Sequence, residues 1–158
     1  MRVKCVFSSM MLFFLYLPAI SYSQQNEPSY RFREDSLAII KLLDTAAKTF
    51  RSGDTSAYDN CWLVRPYSII LISTADGKAI TLHPDVLGKP SASMGKGGYA
   101  EASNYRMSIH ADDAWVSFDE VSTAENGVKS YSHEIWMIER AGNAWKLVAA
   151  SLHFYKLP

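Results

Sequence analysis

Four long stretches of alternating apolar and polar residues close this chain, and they constrain its fold more than any other feature. Residues 99–110, 114–122, 131–140 and 144–155 each read as a strand with a period of two. The links between them are short: Asp112-Asp113, Asn126-Gly127 and Gly142-Asn143. Asn-Gly is a strong signal for a tight hairpin, because both residues tolerate positive φ. Four such runs in sequence make an antiparallel meander, and read with two-residue turns they acquire a definite register. Asn126-Gly127 then sets Glu120 opposite His133, Phe118 opposite Ile135 and Val116 opposite Met137. Gly142-Asn143 sets Ile135 opposite Ala150 and Glu139 opposite Lys146, and Asp112-Asp113 sets Tyr105 opposite Glu120.

The same register sorts side chains to two faces. One carries Met107, Ile109, Val116, Phe118, Ile135, Met137, Val148, Ala150, Leu152 and Phe154, a core face able to receive a helix. The other carries a charged row, Arg106–Asp119–Glu134, beside Trp115, Trp136, Ile138, Trp145 and Leu147. That much apolar surface is rarely left in water. A second subunit seated on Trp115, Trp136 and Trp145 is the expected cover, which makes the chain a homodimer.

A helix precedes the strands. Leu37, Ile40, Leu43, Ala47 and Phe50 recur at three and four residues, with Asp35 to cap the start and Gly53 the end. A short second helix follows to about Trp62. Residues 67–74 and 78–82 form a hairpin around Asp76-Gly77, and residues 83–98, with two prolines and four glycines, form a loop.

The first 23 residues read as an address. Arg2 and Lys4 precede an apolar run of about a dozen residues, shorter than the ~20 a spanning helix needs. Ser21 and Ser23 supply small side chains for cleavage before Gln24. Residues 24–34 then form a polar leader, and residues 35–158 a single domain. The expected product is exported, periplasmic or secreted, with no stable membrane anchor. Without Arg2 and Lys4 it has fourteen bases against sixteen acids, so its net charge of about −2 speaks against nucleic-acid partners. Its one remaining cysteine, Cys61, cannot form an internal disulfide and reads as a small buried hydrophobe.

The order helix, short helix, hairpin, loop and three long hairpins resembles the NTF2-like superfamily, in particular its SnoaL-like and DUF4440-type members. Three stretches carry the likeness: residues 36–54 (SLAIIKLLDTAAKTFRSGD), 113–119 (DAWVSFD) and 134–153 (EIWMIERAGNAWKLVAASLH). The resemblance implies an α+β, cystatin-like cone in which helices pack on a strongly bent antiparallel sheet. Its members include isomerases, dehydratases, small-ligand binders and oligomerisation modules, so fold alone does not name an activity.

No cofactor is expected, since neither a Walker loop nor a dinucleotide fingerprint occurs. No metal is expected either: His83, His110, His133 and His153 are dispersed, without the spacing of a known ligand motif. Ser151, His153 and Glu134 could suggest a hydrolase triad, but all three fall on the outer face and Ser151 stands on no nucleophile elbow. The sharper candidate is the inward row Tyr105–Glu120–His133, polar members of an apolar face. Glu120 and His133 are the expected catalytic pair, a carboxylate and an imidazole suited to acid–base work. Trp62, Tyr67, Tyr105, Phe118, Leu152 and Phe154 are the expected ligand-binding wall. Three readings stay open: a binder of a small apolar or amphipathic ligand, an isomerase or dehydratase, and a structural dimerisation module with a filled cone.

Overall fold

The computed structural model describes residues 29–157. The expected signal segment and the cleavage point before Gln24 lie outside the described residues. Helix α1 (Ser29–Ser52) starts six residues ahead of Asp35, because residues 29–34 hold no Gly or Pro and extend the turn readily. Residues 29–34 of the expected leader therefore belong to the helix, and Asp35 is not its cap. Asp35 lies within α1 and accepts from Arg140 Nη2 at 2.7 Å and Trp145 Nε1 at 3.1 Å.

Gly53, at φ +76°, ends the helix. Its N–H donates to Phe50 O and the Asp54 N–H to Thr49 O, which satisfies two carbonyls of the last turn. Asp54 then caps α2 (Thr55–Asp59) by accepting from the Ala57 N–H. Cys61 is buried as expected, its thiol donating to Ala57 O. Among the described residues no helix is long and apolar enough to cross a membrane.

Six strands form one sheet: β1 (Ile70–Ser73), β2 (Ala79–Leu82), β3 (Tyr99–Ile109), β4 (Asp113–Thr123), β5 (Lys129–Ala141) and β6 (Ala144–Tyr155). Their order is β2-β1-β6-β5-β4-β3, with β1 parallel to β6 and all other pairs antiparallel. Irregularities between Ser103 and Arg106 and between Met137 and Ile138 bend the strands around α1. Ile39, Leu43 and Ala46 of the helix meet Val116, Phe118, Ile138 and Leu147 in the core.

The central hairpin departs from expectation by one residue. Ala124 N donates to Val128 O and Gly127 N to Ala124 O, so Glu125, Asn126 and Gly127 make a three-residue loop. Gly127 takes φ +81° and the Asn126 side chain accepts from the Val128 N–H. That is a type I turn closed by a glycine in the left-handed region, the next commonest hairpin after the two-residue loop. The β4–β5 register follows it: Asp119 faces His133, Phe118 faces Glu134 and Val116 faces Trp136.

One residue of slip turns every β5 side chain over. Glu134, Trp136 and Ile138 point to the core, whereas His133, Ile135 and Met137 point away from it. The Gly142-Asn143 turn is as expected, with Glu139 opposite Lys146, and so Trp145 and Leu147 follow Ile138 inward. The irregularity at 137/138 then restores Ala150 and Leu152 to the inner face. Four of the five residues expected to carry the dimer, Trp136, Ile138, Trp145 and Leu147, thus belong to the helix side. The Asp112-Asp113 turn sits one residue earlier, at Ala111-Asp112, with His110 N donating to Asp113 O. This displacement moves both strands together and keeps Met107 and Ile109 inward.

Candidate functional site

The polar groups on the inner face gather where the last turn of α1 crosses β4 and β5. Arg51 Nη2 donates to Glu120 Oε1 at 3.0 Å and to Ser122 Oγ at 2.7 Å, and the Ser122 hydroxyl donates to Glu120 at 2.6 Å. Loop residues Gly95 and Gly97 hold this turn in place by donating to Phe50 O and Arg51 O. On the next strand Glu134 is only 5% exposed. It accepts from the Ser132 hydroxyl at 2.9 Å and from the Trp136 indole N–H at 2.8 Å.

Burial is the main reason the Glu134 carboxyl is pushed up to about 7, and the charge of nearby Glu120 adds to it. The bonds from Trp136 and Ser132 and the charge of Arg51 oppose the rise. Around this group stands an aromatic chain. Phe50 meets Tyr58 at 5.4 Å between ring centroids, Tyr58 meets Trp62 at 6.1 Å, and Trp62 meets Trp136 at 5.8 Å. Burial raises the Tyr58 phenol, and the Trp62 N–H tempers that rise without meeting hydrogen-bond geometry.

Arg51 also lines a cleft of about 280 Å³ between α1 and the start of β3, with Ala47, Lys48, Gly98, Tyr99 and Ala100. Its Nε is buried and has no acceptor. A second, shallower hollow of about 460 Å³ lies at the ends of β5 and β6, among Lys129, Tyr131, Phe154, Tyr155 and Lys156.

No family model matches the sequence, and no curated protein does. Solved structures match it in shape. An NTF2-like protein with a cystatin-like fold from Novosphingobium aromaticivorans superposes with a TM-score of 0.59 at 16% identity, over 78% of this chain and 84% of its own. The fold is NTF2-like. A function-unknown protein from Mycobacterium tuberculosis gives 0.61 at 13% identity, over 82% and 77%. A candidate dehydratase of the NTF2-like family from Streptomyces avermitilis gives 0.59 at 14% identity, over 79% and 99%.

Within this NTF2-like cone, the expected site residues separate. Glu120 faces inward, but the expected Glu120–His133 pair does not form: the three-residue loop sends His133 to the outer face. There its Nδ1 lies 2.8 Å from Asp119 Oδ1. Tyr105 does not face Glu120 either, since Ala102 takes that position beyond the β3 bulge, and Tyr105 stacks on Phe118 at 5.2 Å. Trp62 and Phe118 are buried and Leu152 packs against the core. Tyr67 is 61% exposed and bonds Glu139, so it is no wall of the cone. Phe154 is half-buried and lines the larger hollow instead.

Sequence reading missed Arg51 and Glu134. Arg51 falls on the helix face beside Phe50 and was hidden among the surface charges of α1. A two-residue turn at Asn126-Gly127 puts Glu134 on the outer face. The signal for it was local: Ser132, Glu134 and Trp136 alternate, so two donors flank one carboxylate on the same side of a strand.

Proposed function

We propose that the chain binds a small amphipathic molecule in the cleft between α1 and β3, with Arg51 as the polar anchor. The observation that carries this reading is Arg51 itself, a cation held by Glu120 and Ser122 in the lining of a 280 Å³ cleft. A ligand oxygen would meet the part of the guanidinium that the cleft exposes, by a charge-assisted hydrogen bond. Glu120 and Ser122 hold the other end of the guanidinium and fix its plane. The apolar part of such a ligand would rest on Ala47, Tyr99 and Ala100.

The test uses 8-anilinonaphthalene-1-sulfonate, an amphipathic anion whose emission rises on leaving water. The wild-type protein is expected to give a saturable rise, and Ala100→Trp, which fills the cleft, to remove it at unchanged melting temperature. An equal rise in Ala100→Trp would overturn the reading.

A second reading rests on Glu134. A carboxyl that titrates near 7 beside Glu120 and Arg51 can exchange a proton at neutral pH, as an isomerase or dehydratase requires. The Streptomyces neighbour is consistent with that chemistry. Under this reading Glu134 and Glu120, rather than His133, are the acid–base groups. Turnover of any small carbonyl substrate must then vanish in Glu134→Gln.

Two further proposals concern the whole chain. Export with cleavage before Gln24 would be checked by the intact mass of the mature protein. A homodimer would form through the end of the outer sheet face where Trp115 and Met137 are paired and exposed, away from His133 and His153.

A further inference from the structure

The outer face of the sheet carries a second polar assembly, remote from the cleft and built with more care than a solvated surface requires. It begins at the β3 bulge, where Asn104 holds φ +56°, the left-handed region that a non-glycine residue seldom enters. In that position its Nδ2 donates to Asp119 Oδ2 at 2.7 Å. The other oxygen of Asp119 lies 2.8 Å from His133 Nδ1. His133 in turn faces His153 directly across the β5–β6 ladder. Residues so paired share a face, with Cβ atoms ~5 Å apart. His153 Nε2 lies 2.9 Å from Ser151 Oγ.

Each imidazole therefore has one nitrogen engaged and one open. Asp119 accepts from His133 Nδ1–H, which leaves the lone pair on Nε2. The Ser151 hydroxyl can accept from His153 Nε2–H, the tautomer that places the lone pair on Nδ1. A carboxylate that accepts from the remote nitrogen of a histidine is the usual support behind a metal-binding imidazole: it fixes the tautomer and raises ligand basicity. Both rings are exposed, so an ion can reach them.

We propose that His133 and His153 chelate a divalent transition-metal ion of the zinc and copper class, with Asp119 and Asn104 as positioning residues. Imidazole nitrogen suits these ions, whereas calcium and magnesium prefer oxygen. Among the described residues no group of three His, Cys, Asp or Glu is clustered for a metal. The pair thus acts as a bidentate chelate whose remaining positions go to water. Twenty residues separate the two histidines, so no spacing motif reveals them, and only the strand register brings them together.

The test is calorimetric titration of the metal-free full chain with Zn²⁺, with Cu²⁺ electron paramagnetic resonance beside it. One saturable site is expected, with two nitrogen donors in the copper spectrum. His133→Ala and His153→Ala should each weaken Zn²⁺ binding at least about tenfold and remove one nitrogen. Asp119→Asn should weaken it by about 10–100-fold while both nitrogens remain, as loss of a supporting carboxylate does. His110→Ala, on the β3–β4 turn, should change nothing, and dye binding in the cleft should be intact in every histidine variant. A wild-type chain without a saturable site would overturn the proposal, as would unchanged affinity in either histidine variant.

Discussion

Glu134 holds its proton at a pH where an exposed carboxyl has lost it, and that difference is linked to folding. Its pKa rises from 4.5 in the unfolded chain to about 7 in the folded one. Below 4.5 both states are protonated and the group costs nothing. Above 7 both are ionised, and the folded state bears the full cost of a buried charge, about 3 kcal/mol. Stability is expected to fall as pH rises from 5 to 8, and Glu134→Gln should flatten that slope. Urea melts at pH 5, 6.5 and 8 check it, and parallel slopes for both proteins would refute the assignment. At the far end of the helix, Asp35→Ala leaves Arg140 and the Trp145 N–H without the acceptor they share. A loss of about 1–3 kcal/mol in the same melts is expected, because removing one partner of a partly buried pair leaves the desolvation of the other uncompensated.

At the scale of elements, the β4–β5 loop shows how local chemistry and register part company. Glu125, Asn126 and Gly127 close the hairpin with Ala124 opposite Val128. Deleting Glu125 would leave Asn126-Gly127, the preferred pair for a two-residue turn, between the same two partners. The ladder from Thr123–Lys129 onward would be unchanged. The shortened chain is therefore expected to fold with the same far-ultraviolet spectrum and a melting temperature within about 5 °C, a shift on the order of 1 kcal/mol. A collapse of cooperativity would mean that the third loop residue is indispensable. Strands, turns and the alternation within each strand were legible from the sequence here. The choice between two and three loop residues was not, since both put an Asn-Gly pair at the bend. The face of Glu120 is legible because β4 precedes the loop, whereas His133 and Glu134 exchange faces with each residue that the loop gains or loses.

For the whole molecule, neighbouring substitutions on β5 discriminate the two faces. Trp136 packs on Trp62 inside the cone, so Trp136→Glu should unfold the chain, a loss of at least about 3–5 kcal/mol. Met137, 56% exposed beside the 45% exposed Trp115, should accept glutamate without loss of melting temperature. If the outer face seats a second copy, Met137→Glu should also convert a dimer to a monomer in light scattering. A wild-type monomer at tens of micromolar would remove that interface.

Periodicity and turn dipeptides determined the element order and the apolar faces of helix and strands, because each is written in residues close in the chain, whereas the NTF2-like cone was implied by the resemblance of residues 36–54, 113–119 and 134–153. Tertiary structure decided which face each side chain of β5 took. It also decided that α1 is pinned by Asp35–Arg140 at one end and Arg51–Glu120 at the other, and that His133 and His153 stand opposite each other in the β5–β6 ladder. Those contacts join residues 20 to 105 positions apart, and a strand's period of two turns a one-residue uncertainty in a loop into a choice between opposite faces.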